Sequence, residues 1–146
     1  MEVKIKKLNE EAILPKYATN KSAGADLCAC IDKEVVIKPF SQVTINTGLA
    51  IEIPDGFVGL IFPRSGLSTK KGLALANKVG VIDSDYRGEW LIVLYNQSNQ
   101  DQVISPKERV AQFVLMPYYK AEFILTDELS VTERNTGGFG STGSFN

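Results

Sequence analysis

The residues best equipped for chemistry lie together in Asn77-Lys-Val-Gly-Val-Ile-Asp-Ser-Asp-Tyr-Arg-Gly-Glu-Trp90. Asp83 closes the apolar run Val81-Ile82, and Tyr86 follows shortly after. A carboxylate and an aromatic at the tip of a chain reversal, with free backbone donors and acceptors around them, suit a small polar ring held beside a base. The bland alternative is a surface hairpin with ordinary turn residues. The chain has no histidine. That excludes Ser–His and Cys–His dyads, imidazole general bases and most zinc sites. Proton transfer therefore falls to carboxylate, Tyr or Lys.

Arginine usage is the second chemical signal. Sixteen basic residues include only four arginines, Arg64, Arg87, Arg109 and Arg134, each in or beside a glycine- or turn-rich segment. Lysine suffices to solvate a surface, whereas the planar guanidinium fork suits bidentate binding of phosphate or carboxylate. Gln112 interrupts the apolar run Val110 to Met116, and an amide buried there needs partners. The net charge of -1 supplies no basic field for a nucleic-acid polymer.

The elements that must carry these residues read as strands. Val3-Lys-Ile5 opens one, and Lys21 to Leu27 is a small-residue turn running into Leu27-Cys-Ala-Cys-Ile31. Residues 42–53 alternate at period 2, with Gly48 marking a bulge or break. Pro54-Asp55-Gly56 is a turn before a strand over Phe57 to Phe62. Val79 to Ile82 and Trp90 to Tyr95 read as two arms of a hairpin around Asp83 to Gly88. Residues 109–116 and 119–125 are further strands. The runs 90–95 and 109–116 are apolar on both faces, which in an antiparallel pattern suggests burial against another subunit. Only Ser65 to Lys71 looks helical. The sum is an all-β jelly roll or distorted barrel spanning residues 1–131. Residues 132–146 form a glycine-rich, flexible C-terminal arm that cannot fold alone; a disordered tail is the plain reading of it.

With 146 residues, 44% of them hydrophobic, the chain fits one domain with a real core. Cys28 and Cys30 are alternate residues of one segment, too close to staple the fold and too few for a structural metal. They read as reduced packing residues of a cytoplasmic protein. The charged N-terminus predicts no signal peptide, and no run approaches the roughly 18 apolar residues of a membrane span.

Five segments together resemble the trimeric deoxyuridine triphosphatase (dUTPase) family. They are Ala23-Gly-Ala-Asp26-Leu, Pro63-Arg-Ser-Gly-Leu-Ser-Thr-Lys70, Asn77 to Gly88, Glu108-Arg-Val-Ala-Gln112 and Arg134 to Gly143. One such box is weak, but five in the family's order and spacing are specific. The resemblance implies a jelly-roll homotrimer whose three sites lie between subunits. It also implies Mg2+-dependent hydrolysis of dUTP to dUMP and pyrophosphate, which keeps uracil out of DNA and supplies dUMP for thymidylate synthesis.

By resemblance, Asp83 is the general base for the water that attacks the α-phosphorus. Arg64, Ser65, Gly66 and Gln112 meet the phosphates, and Arg134, Gly140, Ser141 and Thr142 close on them from the arm. Asn77, Gly80, Val81 and Ile82 surround the uracil with Asp83. Tyr86 lies under the deoxyribose, leaving no room for a 2′-hydroxyl, and Phe139 stacks on the base. Asp26 supports Mg2+ through water. Structural pairing for Arg87 and a solvated charge for Lys70 remain open beside phosphate contact. Trp90 and Asn135 depart from the family's commoner residues, Trp90 raising the question of strand packing. The rivals are a dCTP deaminase of the same superfamily, a non-catalytic nucleotide-binding regulatory relative, and a jelly-roll structural module.

Overall fold

The computed structural model describes residues 1–138. Twelve short strands and one helix occur among them: β1 (Lys4–Lys7), β2 (Lys16–Tyr17), β3 (Ala25–Cys28), β4 (Val35–Ile37), β5 (Gln42–Asn46), β6 (Leu49–Glu52), β7 (Phe57–Phe62), α1 (Ser65–Lys71), β8 (Leu73–Leu75), β9 (Gly80–Ile82), β10 (Leu91–Asn96), β11 (Gln102–Ile104) and β12 (Arg109–Pro117). All pairings are antiparallel. The largest sheet runs β2-β3-β12-β7-β9; β5-β10-β8, β1-β6 and β11-β4 complete the jelly roll.

Period 2 explains the core. Along β10, Ile92 and Leu94 point inward while Leu91 points out; along β7, Gly59 and Ile61 do the same. Trp90 packs edge-on against Phe113 of β12, ring centroids 5.1 Å apart, and is fully buried. The large side chain at this position therefore joins the two main sheets rather than disturbing strand packing. Asn96 is buried but satisfied: its amide donates to Ile37 O and Gln100 O and accepts from Ser98, which fixes the turn after β10.

Three differences from the sequence reading matter for the site. The alternating run 42–53 is two strands, because Gly48, at φ +68°, turns the chain from β5, which pairs with β10, to β6, which pairs with β1. The expected hairpin is not a paired hairpin. β9 pairs with β7, and β10 pairs with β5 and β8, so residues 83–90 cross from one sheet to another. Gly80 permits the first pairing, since a Cβ there would lie 3.1 Å from Ile61 Cβ. Finally, residues 119–125 form no strand. They pair with no strand among the described residues, and Tyr119, Phe123 and Leu125 stand more than nine-tenths exposed.

Helix α1 starts after an extended Arg64 and stops at Gly72, whose φ of +63° is the usual left-handed cap. Lys70 and Lys71 occupy its last turn, where positive charge suits the helix dipole. Lys71 is further held by Glu108 and by Val103 O.

Candidate active site

The phosphate boxes converge at one corner of the large sheet. Asp26 on β3 faces Gln112 on β12, and Gln112 faces Phe62 on β7, so the three share one rung of the ladder. Gln112 Nε2 donates to Pro63 O at 3.0 Å, tying the amide to the start of the helix. Gly24 lies close beside it: a Cβ there would sit 2.6 Å from Gln112 Oε1 and push the amide aside. Arg64 Nε lies 2.7 Å from Asp26 Oδ1 and Arg109 Nη1 lies 3.1 Å from Oδ2. Arg109 was not singled out as a site residue from sequence, although it is one of the four arginines.

At the helix start, no acidic residue occupies the first turn and no side chain caps the amides. The space where a Gly66 Cβ would point is empty. Ser65 is exposed. Two guanidiniums, one carboxylate and open amides leave this corner net positive, which suits an anion.

The base and sugar residues gather elsewhere, around β9. Lys78, at φ +67°, turns the chain sharply so that Val79 N–H reaches Asn77 O at 2.7 Å. The turn carries the Asn77 amide over Gly80, 3.6 Å from where a Cβ would be. Val81, Ile82, Asp83 and Tyr86 line a cleft of about 220 Å³ with Glu89, Trp90 and Leu91. Asp83 is exposed at its mouth. A hydrogen bond from Tyr86 N–H to Asp83 O closes the loop, and the Tyr86 hydroxyl donates to Glu89 O at 3.0 Å. Arg87 is spent on its own loop, donating to Ser84 O and Tyr86 O. Lys70 is exposed.

The two corners are well separated within one chain. β9 continues antiparallel to β7, so Asp83 falls past Ile82, which is opposite Gly59, whereas Gln112 is opposite Phe62. Four residues along β7 and two strand spacings across it amount to roughly 16 Å. A general base must reach its proton at about 2.6–3.2 Å, directly or through one water. Within one chain, Asp83 therefore stands well beyond direct hydrogen-bond reach of Gln112.

The arm enters the described residues only at its start. Arg134 Nε donates to Gly137 O and Gly137 N–H returns to Arg134 O, with Asn135 at φ +44°. Phe139, Gly140, Ser141 and Thr142 lie outside the described residues. A larger hollow, about 700 Å³ between Leu8, Cys30, Asp32 and Glu89, holds none of the residues picked out from sequence. Both cysteines are unpaired, and burial raises each thiol's pKa, so neither is an activated nucleophile. Among the described residues, no helix is long and apolar enough to cross a membrane.

A family model described as dUTPase matches residues 10–143. A deoxyuridine 5'-triphosphate nucleotidohydrolase of Hydrogenobaculum sp. is 50% identical over 143 residues, covering 98% of this chain and 99% of its own. One from Desulfitobacterium hafniense is 54% identical over 131 residues, covering 89% and 87%. Among solved structures, a singly substituted Staphylococcus bacteriophage 80alpha dUTPase with dUpNHpp superposes with a TM-score of 0.87 at 29% identity, covering 97% of this chain and 98% of that one. A dUTPase from phage phi11 of S. aureus, described with a coordinated structural Mg(II) ion, superposes with a TM-score of 0.77 at 25% identity, covering 88% and 98%.

Proposed function

This chain belongs to the dUTPase family, and we propose that its working site is assembled between chains, Asp83 of one subunit facing Arg64, Ser65, Gly66 and Gln112 of another. The enzyme is a hydrolase acting on dUTP. The observation that supports the shared site is the separation of the two corners within one chain, roughly 16 Å between their backbones. A homotrimer is the assembly this reading adopts. The exposed apolar side chains of residues 119–131 and the outward Leu91 of β10 supply surface for it to bury.

In this reading Asp83 takes a proton from water attacking the α-phosphorus, giving dUMP and pyrophosphate. The exposed carboxylate stands at the cleft mouth, where solvent reaches it. Asn77 and the backbone from Gly80 to Ile82 read the uracil edge. Ile61 crowds Gly80 from behind, so this backbone is a rigid template. A hydrogen-bonded edge of this kind rejects a base with the wrong donors by as much as roughly 10⁴–10⁵-fold. Tyr86 supports the deoxyribose. The arm from residue 132 onward closes over a neighbour's site, with Phe139 stacking on uracil and Arg134, Gly140, Ser141 and Thr142 meeting phosphate. Removing dUTP keeps uracil out of DNA, and dUMP feeds thymidylate synthesis. A reducing cytoplasm suits the nucleotide pool and the two free thiols.

The donor set fits a magnesium ion held mainly by the substrate's own phosphates. Among the described residues, no three Cys, Asp or Glu side chains converge as a metal cage. Asp26 retains lone pairs beyond its two guanidinium contacts and would accept hydrogen bonds from the ion's water shell. When bound, Mg2+ supplies charge neutralisation on the triphosphate.

The test is an assay with Mg2+ and, separately, dUTP, dCTP, dTTP and UTP, following pyrophosphate and ammonia. Pyrophosphate from dUTP alone is expected. Ammonia from dCTP would indicate the deaminase, and silence throughout a binding module. Sedimentation should give three chains per particle; a monomer that turns over dUTP overturns the shared site.

A further inference from the structure

The far end of the Asp83 loop is tied down by a side chain with no role in the site as assigned. Glu89 Oε1 accepts the Gly48 N–H at 2.7 Å, and Oε2 accepts Asn46 Nδ2 at 3.0 Å. Gly48 sits where pairing breaks between β5 and β6, so its N–H is met by this carboxylate rather than by a strand. The carbonyl of the same Glu89 accepts the Tyr86 hydroxyl. The next residue is clamped as well: Trp90 N–H donates to Leu49 O at 2.9 Å, and Trp90 O accepts Thr47 Oγ1 at 2.7 Å. The Tyr86 phenol is thus bonded to a carbonyl whose residue and the next are anchored to the 46–49 segment. The Tyr86 ring folds back over Gly88, where a Cβ would collide with it.

We propose that Glu89 is a positioning residue for Tyr86, fixing the ring's height beneath the sugar and thereby the discrimination between deoxyribose and ribose. This rests on the assignment of Tyr86 to the pentose. The selectivity of a platform depends on its not yielding by the width of one hydroxyl. Here the β5–β6 break holds Glu89, and Glu89 holds the phenol. The tether needs an acceptor, not a charge. A Gln at this position accepts the Gly48 N–H through Oε1 and donates Nε2 to a turned Asn46 amide.

The experiment compares Glu89→Ala, Glu89→Gln and Asn46→Ala with the parent enzyme. Asn46→Ala removes one tether from an exposed side chain and covers the case in which Glu89→Ala does not fold. Two quantities are read: the ratio of kcat/KM for dUTP over UTP, and hydrogen exchange of the 84–88 amides without substrate. Glu89→Ala is expected to narrow the ratio about tenfold, the scale of one lost charge-assisted hydrogen bond. The change should come mainly from better use of UTP and a higher KM for dUTP, with kcat on dUTP within about threefold. Exchange at 84–88 should quicken while β7 amides stay unchanged. Asn46→Ala should move both readouts less, and Glu89→Gln should restore both. Unchanged exchange in Glu89→Ala overturns the tether. Quickened exchange with an unchanged ratio, or no rescue by Gln, overturns its part in sugar selection. Failure of the Tyr86 assignment is separately visible, as a parent enzyme that does not prefer dUTP to UTP.

Discussion

Arg64 and Asp26 are joined at 2.7 Å across the start of the helix, with only 26% and 13% of their side chains exposed. Arg109 grips the other carboxylate oxygen. Asp26 thus orients the two arginines of the phosphate corner while leaving it one net positive charge. A lone acidic residue in a small-residue turn could be read from sequence as a turn former or a metal support. The fold shows it also as the hub of an ion-pair pair.

Asp26→Asn should therefore have two effects. Both guanidiniums lose their counter-charge, costing about 1–3 kcal/mol of stability, read as a lower Tm. The Mg2+ concentration for half-maximal activity should rise. An unchanged Mg2+ dependence would remove Asp26 from the ion's water shell.

Asp83→Asn should bind dUTP normally and lower kcat by roughly 10²–10⁴-fold. The amide keeps the shape of the exposed side chain but accepts no proton. Turnover near the parent rate would exclude Asp83 as the base.

Mixing is the sharper test of a shared site. Asp83→Asn and Gln112→Ala chains, each nearly inactive alone, should regain activity when unfolded and refolded together. In a random trimer roughly a quarter of the sites draw an intact Asp83 from one chain and an intact Gln112 from another. No recovery in verified mixed trimers would place both residues in one chain's site.

Leu125 is 99% exposed in the single chain. If another subunit covers it, Leu125→Ser should weaken assembly by about 1.5–3 kcal/mol per contact, seen as concentration-dependent dissociation in sedimentation. An unaltered assembly would mean that this segment lies outside the interface.

Ending the chain at Glu133 removes Arg134 and the rest of the arm but none of the strands among the described residues. The truncate should fold and assemble with little change in Tm, and turn dUTP over severely more slowly. Normal turnover would reduce the arm to a tail.

Most of the strands and helix α1 were legible in the sequence. The continuous apolar runs carried β7, β10 and β12 to within a residue or so of their observed ends, whereas the one long period-2 run, 42–53, came out as two strands. Gly72 marked the helix stop for a purely local reason, a positive φ. The five boxes were legible because each is short and local, and the fold brings Asp26, Arg64 and Gln112 of three of them to one corner. Pairing was beyond reach. A strand's pattern tells which face is buried but not whose edge it meets, so β9 and β10 read as one hairpin though they belong to different sheets. For the same reason residues 119–125 read as a strand, and the fold gives them no strand partner among the described residues. The ties that hold the loop and the phosphate corner, Glu89 to Gly48 and Arg109 to Asp26, join residues far apart in sequence. Only the tertiary structure decided them, because a hydrogen bond between distant residues exists only once packing has brought donor and acceptor within reach.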